Sequence, residues 1–232
     1  MALTVSGDPS AFASLTDADT APQAFQSADA RGATSGGKES FTVAEAANRL
    51  VGGEPGWSHA LGVGFTVSYA FRADAPNTMP DDATGFSRFN TTQINATEQI
   101  LKGWSDVANI TFVRVGAGAS GEAAYSNSAS ILFANYADGV DGASAFSYYP
   151  GRTDFSSAAG DVWVYSGSNY NVNPTIGNYG GSVLVHELGH AIGLSHPSAY
   201  DASDEASPTY SASADYAEDS RQYTVMSYFS ES

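Results

Sequence analysis

Residues 182–197 read Ser182-Val183-Leu184-Val185-His186-Glu187-Leu188-Gly189-His190-Ala191-Ile192-Gly193-Leu194-Ser195-His196-Pro197, and three of the chain's four histidines fall inside this run. On a helix, at 100° per residue, His186 and His190 differ by 40° and point the same way one turn apart. That spacing lets both imidazoles reach one metal ion. Leu184, Leu188, Ala191 and Ile192 fall on the opposite side, which predicts one face in the core and the other towards a cleft. Gly193 stands where a helix stops through a left-handed residue, so the chain is expected to reverse there and bring His196 back towards the first two imidazoles. Three neutral nitrogen ligands suit zinc, and three protein ligands leave an open position for water, as in catalytic zinc sites. Glu187 follows the first histidine directly, so its carboxylate borders the metal without needing to bind it and is placed to act as general base.

Composition limits what else the chain can do. Its 232 residues suffice for a self-standing core. Nine Lys plus Arg against 25 Asp plus Glu give a net charge of −16, which repels phosphate backbones and anionic lipid. Neither nucleic acid nor membrane is expected as a partner. With no cysteine there is no disulfide framework, no thiolate nucleophile and no iron–sulfur cluster. The N-terminus lacks the basic and apolar regions of a Sec signal peptide, and no apolar run reaches membrane-spanning length.

Working backwards from the histidine run, Asp161–Tyr165, Ser130–Tyr136 and Ile110–Val115 read as strands separated by Gly- and Ser-rich loops. Phe146, Tyr148 and Tyr149 read as core and loop packing. From Asn90 onwards Ile94, Thr97, Ile100, Leu101, Trp104, Val107 and Ala108 recur at helical spacing and define an apolar stripe. Phe65, Val67, Tyr69 and Phe71 alternate as in a strand with one buried face. Thr42 and Glu45 have the spacing of a capping box before a short helix. Residues 1–38 are rich in Ala, Ser, Asp and Gly and read as a flexible leader or pro-segment, ahead of one domain over 39–232. The acidic stretch from Asp201 to Asp219 has no recognisable calcium-loop spacing, so Ca2+ stays open and a solvated acidic surface is the reading preferred.

The pattern His-Glu-x-x-His-x-x-Gly-x-x-His resembles the metzincin metallopeptidases, which carry a tight methionine-containing turn below the metal. Val225-Met226-Ser227-Tyr228 offers that turn thirty residues after His196. Pro197, the stretch Tyr216–Tyr223 and Met226-Ser227-Tyr228 resemble the serralysin family in particular, and the likeness runs back through Trp104–Phe112 to about residue 41.

The resemblance implies an α+β metzincin-like catalytic domain: a twisted, mixed five-stranded sheet with two long helices, an irregular C-terminal subdomain, and a cleft between the two parts. It implies a zinc-dependent endopeptidase of broad specificity, with His186, His190 and His196 on the metal and Glu187 activating the zinc-bound water. Tyr228 occupies the place of a fifth zinc ligand that can swing to stabilise the oxyanion, and Met226 that of the packing residue of the Met-turn. An extended substrate is expected on an edge strand assigned to Ser130, Ile131, Leu132, Phe133, Ala134, Asn135 and Tyr136, the strand next before the metal helix in family order. Residues 1–38 are expected to inhibit in cis. A calcium-binding repeat domain is expected on a separate or removed segment, the site of action is extracellular or at the cell surface, and the oligomeric state is the family's default, a monomer. The rival reading, a domain that holds metal and binds protein without cutting it, would need a damaged catalytic set, and Glu187, the three histidines, Met226 and Tyr228 are all present.

Overall fold

The computed structural model describes residues 3–5, 34–35, 37–51, 53, 55–58, 62–116, 118, 120–140, 143–151, 158–200 and 208–230. It divides into two compact units: Met1–Gly7 with Pro55–Gly193, and Asp8–Glu54 with Leu194–Ser232.

The first unit is built on strands β1 (Leu3–Val5), β4 (Phe65–Phe71), β5 (Ile110–Arg114), β6 (Ile131–Tyr136), β7 (Ala145–Ser147) and β8 (Val162–Tyr165). They lie in the order β1-β7-β8-β6-β4-β5. β5, β4, β6 and β8 are parallel to their neighbours, whereas β7 is antiparallel to β8 and β1 antiparallel to β7. The expected mixed five-stranded sheet is thus present and is extended by a three-residue strand from the N-terminus. Parallel neighbours need a long crossover, and helix α2 (Thr91–Val107) supplies it between β4 and β5; a short helix, α3 (Asn169–Val172), follows β8.

α2 starts at a reciprocal capping box in which Gln93 N–H donates to the Asn90 side chain and Asn90 N–H to the Gln93 side chain. Ile94, Thr97, Ile100 and Leu101 are buried as the stripe predicts, but Val107 is 79% exposed, because the helix ends there and turns away from the core. Phe71, Phe89 and Phe133 pack with ring centroids 5.6–5.9 Å apart. Ala83, Ala134, Tyr136, Phe146, Tyr148 and Trp163 form a second cluster. The Arg72 guanidinium donates to buried Asp161 at 2.7 Å, and the other oxygen of that carboxylate accepts from Leu132 N–H. A cation buried on the sheet is thereby paired.

This topology corrects the assignment of the substrate edge. Residues 131–136 are buried throughout, and the strand lies between β4, which pairs with 131–133, and β8, which pairs with 133–136, so it is not an edge. Adjacency in sequence to the metal helix does not make a strand an edge. The strand at that margin of the five-stranded sheet is β7, of which the sequence singles out only Phe146, as a packing aromatic.

The second unit is irregular, as expected of the C-terminal part. It holds the paired β2 (Thr34–Ser35) and β3 (Lys38–Glu39), helix α1 (Val43–Val51) and helix α5 (Tyr210–Ser213). The predicted capping box of α1 is formed: Glu45 N–H donates to Thr42 Oγ1 and Thr42 N–H to the Glu45 carboxylate. Phe41 stacks on Tyr216 at 4.5 Å, and buried Glu218 accepts from Ser40 Oγ and Phe41 N–H. Apart from 3–5, 34–35, 37 and 38, the expected leader lies outside the described residues, as do 201–207 of the acidic stretch. Among the described residues no helix is long and apolar enough to cross a membrane.

Candidate active site

In the first unit the histidine run folds as helix α4 (Tyr179–Ala191). Asn178 caps its start by accepting from Gly181 N–H at 3.0 Å. Glycine is required at the first turn, since a Cβ on Gly180 would lie 2.0 Å from the Tyr170 carbonyl oxygen and one on Gly181 1.9 Å from that of Thr175. At the other end the Trp57 indole N–H donates to the Ala191 carbonyl at 2.8 Å, and Gly193 adopts φ 108°, the left-handed stop that its position predicts. The helix is buried nearly all round, with His186, Glu187 and His190 as enclosed as Leu184 and Leu188. Within its unit α4 packs on α3, β7, α2, β1 and β8.

His186 Nε2 and His190 Nε2 lie 3.0 Å apart with their rings at 83°. Two nitrogens each about 2.0–2.1 Å from a tetrahedral zinc ion stand about 3.3 Å apart. The pair is therefore already set close to the separation that zinc imposes. Glu187, between them in sequence, is fully buried; its Oε2 accepts from Ser147 Oγ at 2.5 Å, while Oε1 has no hydrogen-bond partner among the described residues. Burial pushes the Glu187 carboxyl up to about 8, against the pull of the Ser147 hydroxyl. Tyr149 sets its ring edge-on to His190 at 5.7 Å.

In the second unit His196 Nδ1 lies 2.7 Å from the Tyr200 carbonyl oxygen. A carbonyl only accepts, so Nδ1 carries the proton and Nε2 the lone pair, the tautomer that a metal ligand needs. The His196 ring stacks on Tyr200, and Tyr228 meets it edge-on at 4.6 Å. Ser227 N–H returns to the Thr224 carbonyl, and Met226 between them is fully buried. Sequence reasoning missed Asp219, which is buried and accepts from Ser198 Oγ (2.6 Å), Tyr200 Oη (2.9 Å) and Ser227 Oγ (2.7 Å). One carboxylate thus joins the segment after His196 to the methionine turn, and nothing in local spacing signals it.

The imidazoles of His186 and His190 in the first unit and of His196 in the second are each buried. These donors suit zinc by their chemistry: neutral imidazoles, no thiolate, and, between His186 and His190 in the sequence, a carboxylate with one oxygen unpartnered among the described residues.

These features define a metzincin-type catalytic domain, and comparison with known proteins agrees. Residues 80–219 match the peptidase M10 family, described as matrixin. Serralysin G of Dickeya chrysanthemi is 37% identical over 204 residues, covering 84% of this chain and 40% of that protein. The metalloprotease AprA of Pseudomonas entomophila is 39% identical over 208 residues, with 88% and 40% covered, and the serralysin of Photorhabdus luminescens 38% over 204, with 84% and 40% covered. The chain belongs to the matrixin peptidase family as a serralysin-like metzincin domain. It spans about 40% of the length of these curated relatives.

Proposed function

We propose that this chain is a zinc-dependent endopeptidase that hydrolyses internal bonds of protein substrates with broad specificity. The observation that carries the reading is Glu187, a fully buried carboxylate with one unpartnered oxygen, placed between two histidines whose Nε2 atoms face each other. His186, His190 and His196 are the proposed zinc ligands, with Tyr228 as a further ligand in the resting enzyme and Met226 as packing. Zinc, when bound, supplies Lewis acidity towards the scissile carbonyl and lowers the pKa of water. Glu187 takes the proton of the attacking water and returns it to the leaving amine nitrogen. The Tyr228 hydroxyl donates to the oxyanion as it forms. Removing that donor in Tyr228→Phe is expected to lower turnover about a hundredfold with little change in KM. Unchanged turnover would leave Tyr228 as packing against His196 and Tyr200.

The substrate is proposed to lie extended and antiparallel along β7, Ala145–Ser147, where backbone pairing gives affinity with little demand on sequence. Support comes from the chain's own N-terminus: Leu3, Thr4 and Val5 pair antiparallel with Ser147, Phe146 and Ala145. A segment seated there competes with substrate, which is the form that inhibition by residues 1–38 would take. Digestion of casein, with the peptides read by mass spectrometry, tests both ideas. Internal cleavages are expected, faster from a chain that begins at Gly37 than from the full chain. Equal rates would end the inhibitory reading, and intact casein with both chains would end the peptidase reading. The same reading places the protein outside the cell, where fractionation would find the activity.

A further inference from the structure

β7 contributes more than a pairing edge. Along a strand successive side chains alternate in direction, so Ala145 and Ser147 share one face and Phe146 takes the other. Phe146 is committed to the sheet's aromatic cluster, stacked on Trp163 at 6.3 Å and 5.3 Å from Tyr136. α4 packs on β7 within the same unit, and Ser147, fully buried, reaches Glu187 across forty residues of sequence.

The two oxygens of Glu187 are consequently unequal. Oε2 accepts the Ser147 hydroxyl at 2.5 Å, and Oε1 is buried with no partner among the described residues. A hydroxyl-to-carboxyl bond of this length is short and directional, and it holds the side chain in one rotation about its terminal bond. We propose that Ser147 is a positioning residue for the reaction: it anchors Oε2 of Glu187 and so leaves Oε1 as the atom that accepts the proton of the attacking water. The inference rests on Glu187 being the general base. It also ties the base to the substrate, because the residue whose side chain holds the carboxylate has its backbone in the strand along which the substrate is proposed to pair. A small displacement of the reacting proton from its acceptor is costly in rate, so an untethered carboxylate is a slower base even when it is present and charged.

The test uses the full chain with zinc bound and a peptide of defined cleavage site. Ser147→Ala is expected to lower kcat about tenfold, to change KM less than about twofold, and to retain zinc and the wild-type melting temperature to within a few degrees. Ser147→Thr keeps the hydroxyl and should recover most of kcat, which loss of packing alone would not allow. Wild-type kcat in Ser147→Ala, or a loss confined to KM, overturns the proposal. Glu187→Gln separates this failure from failure of the underlying reading. An inactive Glu187→Gln beside a fully active Ser147→Ala removes only the anchoring role, whereas an active Glu187→Gln removes Glu187 as the base.

Discussion

Glu187→Gln is expected to bind zinc as the wild type does and to cleave casein more slowly by on the order of 10²- to 10⁴-fold, the range of a lost general base. The substitution is nearly isosteric, and the environment favours its folding. Glu187 is fully buried, and burial already pushes its carboxyl towards the neutral form, so a neutral amide costs the fold little. The amide oxygen can still accept the Ser147 hydroxyl, which keeps the side chain in place. What disappears is the capacity of the second oxygen to take a proton. Purified variant and wild type compared for zinc content, melting temperature and initial rate decide the matter. A variant with wild-type zinc content that cleaves within tenfold of the wild-type rate would remove Glu187 from the mechanism.

Asp219→Ala is expected to cost several kcal/mol of stability and to weaken zinc binding about 10- to 100-fold. Three hydroxyls, of Ser198, Tyr200 and Ser227, point their protons at this carboxylate. Each buried donor left without an acceptor costs about 1–3 kcal/mol. The effect on zinc follows from the chain of partners. Asp219 holds the Tyr200 side chain, the Tyr200 carbonyl holds Nδ1 of His196, and that bond fixes the tautomer that leaves Nε2 for the metal. Thermal unfolding and zinc competition with a chelator of known affinity measure the two effects. An Asp219→Ala chain with wild-type melting and wild-type zinc affinity would show that the carboxylate is incidental to both.

What could be read in the sequence was what local physics fixes. The capping box of Thr42 and Glu45, the stripe of α2 as far as Leu101 and the strand at 65–71 depend on neighbours within a few residues, and each is where its pattern places it. The histidine run was legible for the same reason: helical geometry sets the angle between His186 and His190, and the glycine at 193 sets the reversal. The order of strands was not legible, because it depends on pairings between distant segments. Closeness in sequence to the metal helix therefore points to 130–136 as an edge, although the strand there is central. β7 escaped because three residues are too few to show a period, and the aromatic side chains around it read equally well as packing. Asp219 and Ser147 escaped because their partners are not neighbours in the chain; a lone serine or aspartate carries no signature of what will be folded against it.

Stripping and refilling the metal tests most directly whether the chain cuts proteins with one zinc ion. The protein is depleted of metal with a chelator, freed of it, and titrated with zinc, while casein cleavage and bound zinc are measured on the same samples. Cleavage should vanish on depletion and return in proportion to zinc, reaching its plateau at one ion per chain. Cleavage that persists in fully depleted protein, or a chain carrying one zinc that leaves casein intact even when it begins at Gly37, would contradict the account.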